Sequence, residues 1–477
     1  MFENRVTELR PVFHPRSIAV VGATADEHKS GSKWVLGLRA AGYRGALYPV
    51  SPRGGSIAGL TIYPSLESVP GDVEHVIASV PVASALHLVD ECIRKHARVV
   101  MFFTAGFAET GSQAGRELEK AMLEKARAAG LRIIGPNCIG SYCPGDRIPL
   151  GPAAPGKLGI PGKTGFISQS GGIAAKLVEN GIARRICFSK GVSVGNSIDL
   201  DASDFLEYFG GDTGTNAIGV YLEGTRDGRR LFRTLRSVCG LKPVVVWKGG
   251  RTAAGAAAAR SHTGSMASSA PVWSAALRQA GAIEARSLEE LTDCLLLLQQ
   301  LGPIRVRNVA VVGGLADGGG GISVSGSDAC NDNALAVPEL SLGTKETLQG
   351  LIGEVGSILR NPVDVSPAQF RGPDTLFRAL ETVAHEPGID VILLQEDMDI
   401  MLSFLGRAET QVINAYLATL PKVCGKPLVM VLPSGSAEAE RVEVEAHLLA
   451  AGVPVFPTMA RAARALGLLS HRPVPAQ

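Results

Sequence analysis

The chain has 477 residues, with 47 basic against 45 acidic side chains and a net charge of +2, a balance that leaves no electrostatic footprint for nucleic acid or an anionic membrane surface. Every apolar run is broken by Gly, Pro or charge short of a bilayer-spanning length, so no transmembrane segment is expected. Eight cysteines lack CxxC pairing, and the start Met1-Phe2-Glu3-Asn4-Arg5 lacks the basic-then-apolar pattern of a secretion signal, which together fit a reducing cytoplasm. Aromatic residues make up only 5% of the chain while 57 residues are glycine, a composition suited to close-packed α/β layers with tight turns near bound phosphates.

Strand-like runs alternate with amphipathic stretches of helical length in three successive blocks, so the expected architecture is α/β with three doubly wound domains over 1–145, 146–302 and 303–477. In the first block Ile18 to Val21, Ala46 to Val50, His75 to Val80, Val99 to Phe103 and Arg132 to Ile134 read as parallel strands. Proline and glycine between Pro144 and Gly162 read as a linker. The second block offers strands at Gly165 to Ser168, Ser189 to Val194, Ile218 to Leu222 and Pro243 to Trp247, then an apolar helix from Leu288 to Leu301 that suits a core or an interface between subunits. After Gly302-Pro303 the third block has strands at Val309 to Val312, Val391 to Gln395 and Pro427 to Leu432, and a last helix at Met459 to Leu469.

The turn after the first strand, Gly22-Ala23-Thr24 through Lys29-Ser30-Gly31, lies where doubly wound sheets bind nucleotides. It lacks GxGxxG, and the second strand ends Val50-Ser51-Pro52-Arg53 with no acid for a ribose hydroxyl, which disfavours NAD. Lys29, Lys33 and Arg53 would suit a nucleotide with an extra ribose phosphate, such as coenzyme A, or they are solvated surface charge; the residues alone favour neither.

In the second block a strand feeds a helix through Ser168-Gln169-Ser170-Gly171-Gly172, an anion cradle of backbone N–H groups and two hydroxyls, or an ordinary serine-capped turn. Ser168-x-Ser170-x-Gly172 also approaches a nucleophile elbow, with Asp227 and His262 following in hydrolase order, but its first glycine is missing. Glu223 ends a buried strand beside Gly224, where a carboxylate can orient an imidazole, or pair with Arg226 or Arg229. His262 sits in the small, hydroxyl-rich loop Ala259-Arg260-Ser261-His262-Thr263-Gly264-Ser265, free to carry a phosphoryl group between two sites.

Taken in order, His14-Pro15-Arg16-Ser17-Ile18-Ala19-Val20-Val21-Gly22-Ala23, Tyr48-Pro49-Val50, Ala105-Gly106-Phe107, Gly135-Pro136-Asn137-Cys138, Ser168-Gln169-Ser170-Gly171, Gly249-Gly250-Arg251, Ser261-His262-Thr263-Gly264-Ser265 and Asn361-Pro362-Val363-Asp364 resemble the nucleoside-diphosphate-forming acyl-CoA synthetases, relatives of succinyl-CoA synthetase. The resemblance spans nearly the whole chain. It implies a Rossmann-like CoA-binding domain followed by two flavodoxin-like domains, with His262 as the phosphorylated residue and Glu223 stabilising it. Ser168, Ser170, Gly171, Gly172, Ser261 and Gly264 are then the phosphate-binding residues. Gly22, Ala23, Thr24, Lys29, Ser51, Arg53, Val80, Pro81, Asn137 and Cys138 contact coenzyme A. No metal ligand is implied on this chain.

The reaction so implied joins a carboxylic acid to CoA at the expense of ATP, through acyl phosphate, giving ADP and phosphate. No ATP-grasp module is recognisable in these residues, so the resemblance is to an α subunit whose separate ATP-grasp β subunit binds ATP and Mg²⁺, in a hetero-oligomer or homo-oligomer. The alternatives are a CoA-binding regulatory protein with a silent histidine and, less favoured, a serine hydrolase. Three positions depart from the family pattern: the turn Gly313 to Gly321, Ser51 in place of a common asparagine, and Asp26 in place of a frequent lysine.

Overall fold

The computed structural model describes residues 2–152, 158–255, 269–313, 320–352, 358–364 and 372–470. Ser261, His262 and Gly264, and most of the glycine-rich turn between Gly313 and Gly321, lie outside them. The chain divides into two compact units, 1–291 and 292–474.

The first unit carries two large sheets. One is wholly parallel, in the order Ala46–Val50, Ser17–Val21, His75–Ala78, Val99–Phe102, Arg132–Ile134. The other runs Ile283–Ala285, Val244–Lys248, Ala217–Leu222, Thr164–Ser168, Phe188–Ser193, Gly140–Tyr142, the last strand antiparallel. The second unit repeats the plan: an antiparallel edge at Ile358–Leu359, then Val363–Asp364, Val309–Gly313, Val391–Gln395, Leu428–Val431 and Val455–Phe456. The fold is therefore α/β with three doubly wound parallel sheets. In each, one parallel strand lies between the two that follow it in the chain, and the winding reverses at its carboxyl end, where such sheets open a crevice for ligands.

The fully buried strands explain the continuous Val/Ile/Leu runs of the sequence, because helices cover both faces of parallel sheets. The run Pro144 to Gly162, expected to be a linker, is packed in its first part: Pro144–Asp146 forms a single helical turn, and Ile148 and Leu150 are buried. The strand Gly140–Tyr142, just before it, pairs with Phe188–Ser193 of the second sheet. Its three residues are too few to show an alternating pattern. The apolar side chains of the helix Leu288–Leu301 are buried from Leu291 to Leu298. Among the described residues no helix is long and apolar enough to cross a membrane, and all eight cysteines are unpaired.

Within the first unit the N-terminal helix Phe2–Phe13 packs on the helix Ala202–Gly211, with the Phe13 ring 4.8 Å from Tyr208 and 5.7 Å from Phe209. Arg132, on the last strand of the first sheet, donates to the buried carboxylate of Asp199 at 2.8 Å, and Asp199 also accepts the Ile133 N–H. Aromatic packing and a part-buried ion pair thus hold the two sheets in one unit.

His75 anchors the same helix from below. Its Nδ1–H donates to the Pro11 carbonyl at 3.1 Å, and burial lowers the imidazole pKa to about 4. An unfolded histidine titrates near 6.5, so the folded state binds fewer protons than the unfolded state between these values. The resulting stability is complete above about pH 6.5 and is lost as pH falls towards 4, by ~3 kcal/mol in all. Urea unfolding at pH 7 and pH 4.5 is expected to show this loss, and His75→Gln to lessen it; an unchanged slope in the variant would assign the acid sensitivity elsewhere.

Candidate active site

Parallel strands deliver their following loops to one edge, and in the first unit two such edges meet around a cavity of about 540 Å³. Ser79 and Val80 follow His75–Ala78, Phe103 to Ala105 follow Val99–Phe102, and Asn137 to Ile139 follow Arg132–Ile134. From the second sheet come Gln169 to Gly172, after Thr164–Ser168, and Gly195 with Asn196, after Phe188–Ser193. None of these side chains is charged.

The cradle is built by the turn into the helix Gly171–Ala183. Ser168 is fully buried beneath it: its hydroxyl donates to the Ser170 carbonyl and accepts the Ser170 N–H, so it shapes the turn from outside the cavity lining. Ser170 caps the helix by accepting the Ile173 N–H. The N–H groups of Gly171 and Gly172 have no intrahelical acceptor by helix geometry, and both residues line the cavity. A phosphoryl oxygen placed there meets open donors and the positive end of a helix dipole.

Glu223 lies just past Ala217–Leu222, buried, outside the residues that line the cavity. Tyr221, two residues back on the same strand face, donates its hydroxyl to Glu223 Oε1 at 3.2 Å. Gly249 leaves room for that hydroxyl, since a Cβ there would stand 2.5 Å from it. Lys248 is buried at the end of the neighbouring strand, its Nζ donating to the Gly249 carbonyl and lying 5.3 Å from the centre of the Trp273 ring. Burial lowers the Lys248 pKa, and the negative charge of Glu223 opposes that shift. Arg226, a possible partner of Glu223 from sequence, instead reaches the carbonyls of Asn196 and Ile198 and stands 3.8 Å from Glu119.

The two strand ends are tied by Gln169. Its Oε1 accepts the Glu223 N–H at 2.7 Å and the Gly224 N–H at 3.1 Å. Residue pattern placed Gln169 in a motif without giving it a task and did not single out Tyr221 or Lys248, because their roles depend on which strands become neighbours. Asn196 is a further example: its amide donates to Glu109 at 2.6 Å and Glu119 at 2.8 Å, closing the cavity wall from behind. Burial holds the Glu119 pKa above the ordinary carboxylate value, whereas Glu109 is held below it by the Gly106 N–H and the Asn196 amide, which outweigh burial.

At the edge of the first sheet, Gly22 and Thr24 turn the chain towards the helix Ser30–Ala41. The Thr24 N–H donates to Ser32 Oγ and Ser32 Oγ–H donates to the Thr24 carbonyl, latching the turn to the helix start. Lys29, Arg53 and Pro81 are exposed, while Ala23 and Ser51 are buried. Cys138 is buried, its thiol donating to the Phe102 carbonyl at 3.6 Å, and burial raises its pKa to about 12. The cavity thus brings together Val80, Asn137, Cys138, Ser170, Gly171 and Gly172, and leaves Gly22, Ala23, Thr24, Lys29, Ser51, Arg53 and Pro81 off its lining.

The hydrolase arrangement does not assemble from the described residues: Asp227 caps the helix Gly228–Cys239 by accepting the Arg230 N–H, and Ser170 is itself a cap. Among the described residues one grouping of metal-ligand types occurs elsewhere, His14 with Cys143 and Asp146. There His14 Nδ1 bonds to the Asp146 carboxylate, and burial raises the Cys143 thiol to about 11, so it is protonated at neutral pH.

Fold and site thus define a protein in which the carboxyl edge of a doubly wound sheet and a helix start with open backbone donors face one cavity. Residues 16–144 match the CoA binding domain family, and residues 161–298 the succinyl-CoA ligase like flavodoxin domain family. The chain is 34% identical to the α subunit of ADP-forming acetate–CoA ligase I from Pyrococcus furiosus, covering 97% of each chain. It is also 34% identical to ADP-forming acetate–CoA ligase I from Archaeoglobus fulgidus, where 96% of this chain spans 63% of that protein's length. Among solved structures, an acetyl-coenzyme A synthetase 1 from Ca. Korarchaeum cryptofilum, in complex with phosphate and ADP, superposes with a TM-score of 0.84 at 28% identity, over 97% of this chain and 96% of that one. The chain belongs to the ADP-forming acyl-CoA ligase family, on the α-subunit side.

Proposed function

We propose that this chain is the CoA-binding and phosphohistidine-bearing subunit of an ADP-forming acid–CoA ligase. The observation that carries the reading is the uncharged cavity in which the loops of the CoA-type sheet face the open N–H groups of Gly171 and Gly172, with Glu223 fixed at the neighbouring strand end. His262 enters from its sequence context and the family resemblance. A phosphoryl group taken from ATP by the His262 imidazole, with ADP leaving, passes to a carboxylate oxygen of the acid; a P–O bond forms as the P–N bond breaks. The CoA sulfur then attacks the acyl carbon, the C–S bond forms, the C–O bond to phosphate breaks, and the departing phosphate takes up the thiol proton.

The residues at the first sheet edge fit coenzyme A: an open helix start at Ser30, with exposed Lys29 and Arg53 for phosphates on the same edge. A separate ATP-grasp β subunit would supply ATP and Mg²⁺, as the α-subunit naming of the Pyrococcus furiosus relative suggests. The lining favours an acid whose tail is uncharged, because a second carboxylate would meet no cation among the described lining residues. The test is to mix the chain with an ATP-grasp partner and measure ADP release. Beyond the first ADP per site, ADP and acyl-CoA formed one for one, dependent on both acid and CoA, are expected. CoA binding without any ADP release in the assembled complex would overturn the ligase reading and leave a CoA-binding regulator.

A further inference from the structure

Gln169 is half-buried, lines the cavity and has two chemically different ends. A carboxamide oxygen only accepts hydrogen bonds and its nitrogen only donates them. The backbone N–H groups of Glu223 and Gly224 can only donate, so the atom they meet at 2.7 and 3.1 Å must be the oxygen. That fixes the orientation of the amide. Its NH₂ group is the end that these two bonds leave over, on a residue that lines the cavity together with Gly171 and Gly172.

We infer that Gln169 is a catalytic residue whose Nε2–H donates to the acyl oxygen of the acid substrate and stabilises the oxyanion formed when CoA sulfur attacks. The inference rests on the ligase reading above and names a residue that reading leaves unused. The first-turn N–H groups suit the phosphoryl oxygens, and a separate donor is then needed for the acyl oxygen that keeps its bond to carbon throughout. That oxygen changes from half of a carboxylate to the carbonyl of an acyl phosphate, becomes an oxyanion in the tetrahedral intermediate, and ends as a thioester carbonyl. A neutral amide can donate in all four states. A cation would favour the initial carboxylate and so resist its conversion. The same side chain fixes the backbone of Glu223, so donor and carboxylate are held by one rigid element.

The test uses Gln169→Glu in the assembled enzyme. This variant keeps an oxygen for the Glu223 and Gly224 N–H groups and replaces the donor by a second carboxylate oxygen. Protein phosphorylation by ATP precedes entry of the acid, so the labelled phosphate is expected at the wild-type level, with CoA affinity and thermal midpoint unchanged. The KM for the acid should rise roughly 10- to 100-fold through loss of the donor and charge repulsion, and kcat should fall roughly 100-fold. The deficit should narrow as pH falls, because a protonated Glu regains a donor. Gln169→Met, which removes both ends, should lose kcat without that recovery.

A Gln169→Glu enzyme with phosphorylation intact and acid KM and kcat within about threefold of wild type would overturn the inference, since the expected donor loss is at least tenfold. Equal pH profiles for the Glu and Met variants would overturn it too, because only the Glu variant can regain a donor on protonation. A wild-type complex that neither takes phosphate nor makes acyl-CoA would instead remove the ligase reading beneath it.

Discussion

His262→Ala is expected to abolish the acid-labile, alkali-stable phosphate that the proposed route places on wild type when ATP and an ATP-grasp partner are supplied, and to lower acyl-CoA formation by at least about 10⁴-fold. The size follows from the chemistry: imidazole is the only protein nucleophile in the proposed route, so its removal leaves direct phosphoryl transfer between two bound anions. The variant should still bind CoA, because the Gly22 turn and the loops at Val80 and Asn137 belong to other segments. Phosphate label and CoA affinity measured on the same preparation separate the two outcomes. Label retained at wild-type level would move the phosphoryl group to another residue. Loss of both label and CoA binding would make the histidine structural.

The contrast between Glu223 and Gln169 shows what the sequence could and could not reveal. Glu223 is legible because a charged residue ending an apolar strand run is improbable without a task, and Ser170 with its glycines is legible because small residues at a strand-to-helix turn leave backbone donors open. Gln169 sits within the same motif, yet its partners are 54 and 55 positions away and depend on Thr164–Ser168 lying beside Ala217–Leu222. Tyr221 and Lys248 were hidden in the same way, inside runs whose apolar character already accounted for them. Long parallel strands were legible to within a few residues, since burial on both faces produces unbroken apolar runs. Gly140–Tyr142, Ile358–Leu359 and Val363–Asp364 are two or three residues long, too short to show any period, and their pairing comes from neighbours already in place. Ser168 shows the opposite error of emphasis: its hydroxyl looked like a ligand group and is consumed by the turn that it folds.

Gly22→Ala is the substitution for which the largest loss of stability is expected, about 3–5 kcal/mol, together with loss of CoA binding. Gly22 has φ +98°, outside the range that L side chains readily adopt, and an added Cβ would fall 2.8 Å from the Ser79 carbonyl carbon and closer still to its oxygen. Neither backbone can yield. The Gly22 N–H is bonded to the Val50 carbonyl at 2.9 Å and the Ser79 N–H to the Val21 carbonyl at 2.8 Å, so three adjacent strands hold the clash in place. From the other side, Gly31 packs so tightly against Gly22 and Ala23 that its own Cβ would stand 2.8 Å from the Ala23 nitrogen. Ser79 lines the cavity, so any displacement that relieves the overlap also moves a cavity wall. Gly42→Ala is the matched control: φ is also positive, at +79°, but nothing lies within 4 Å of the added carbon, so only the backbone cost of about 1 kcal/mol is expected. Urea midpoints and CoA titrations of both variants separate strain from crowding. A Gly22→Ala chain that is destabilised yet binds CoA like wild type would detach this turn from the ligand edge and shift the CoA contacts to the loops at Val80 and Asn137.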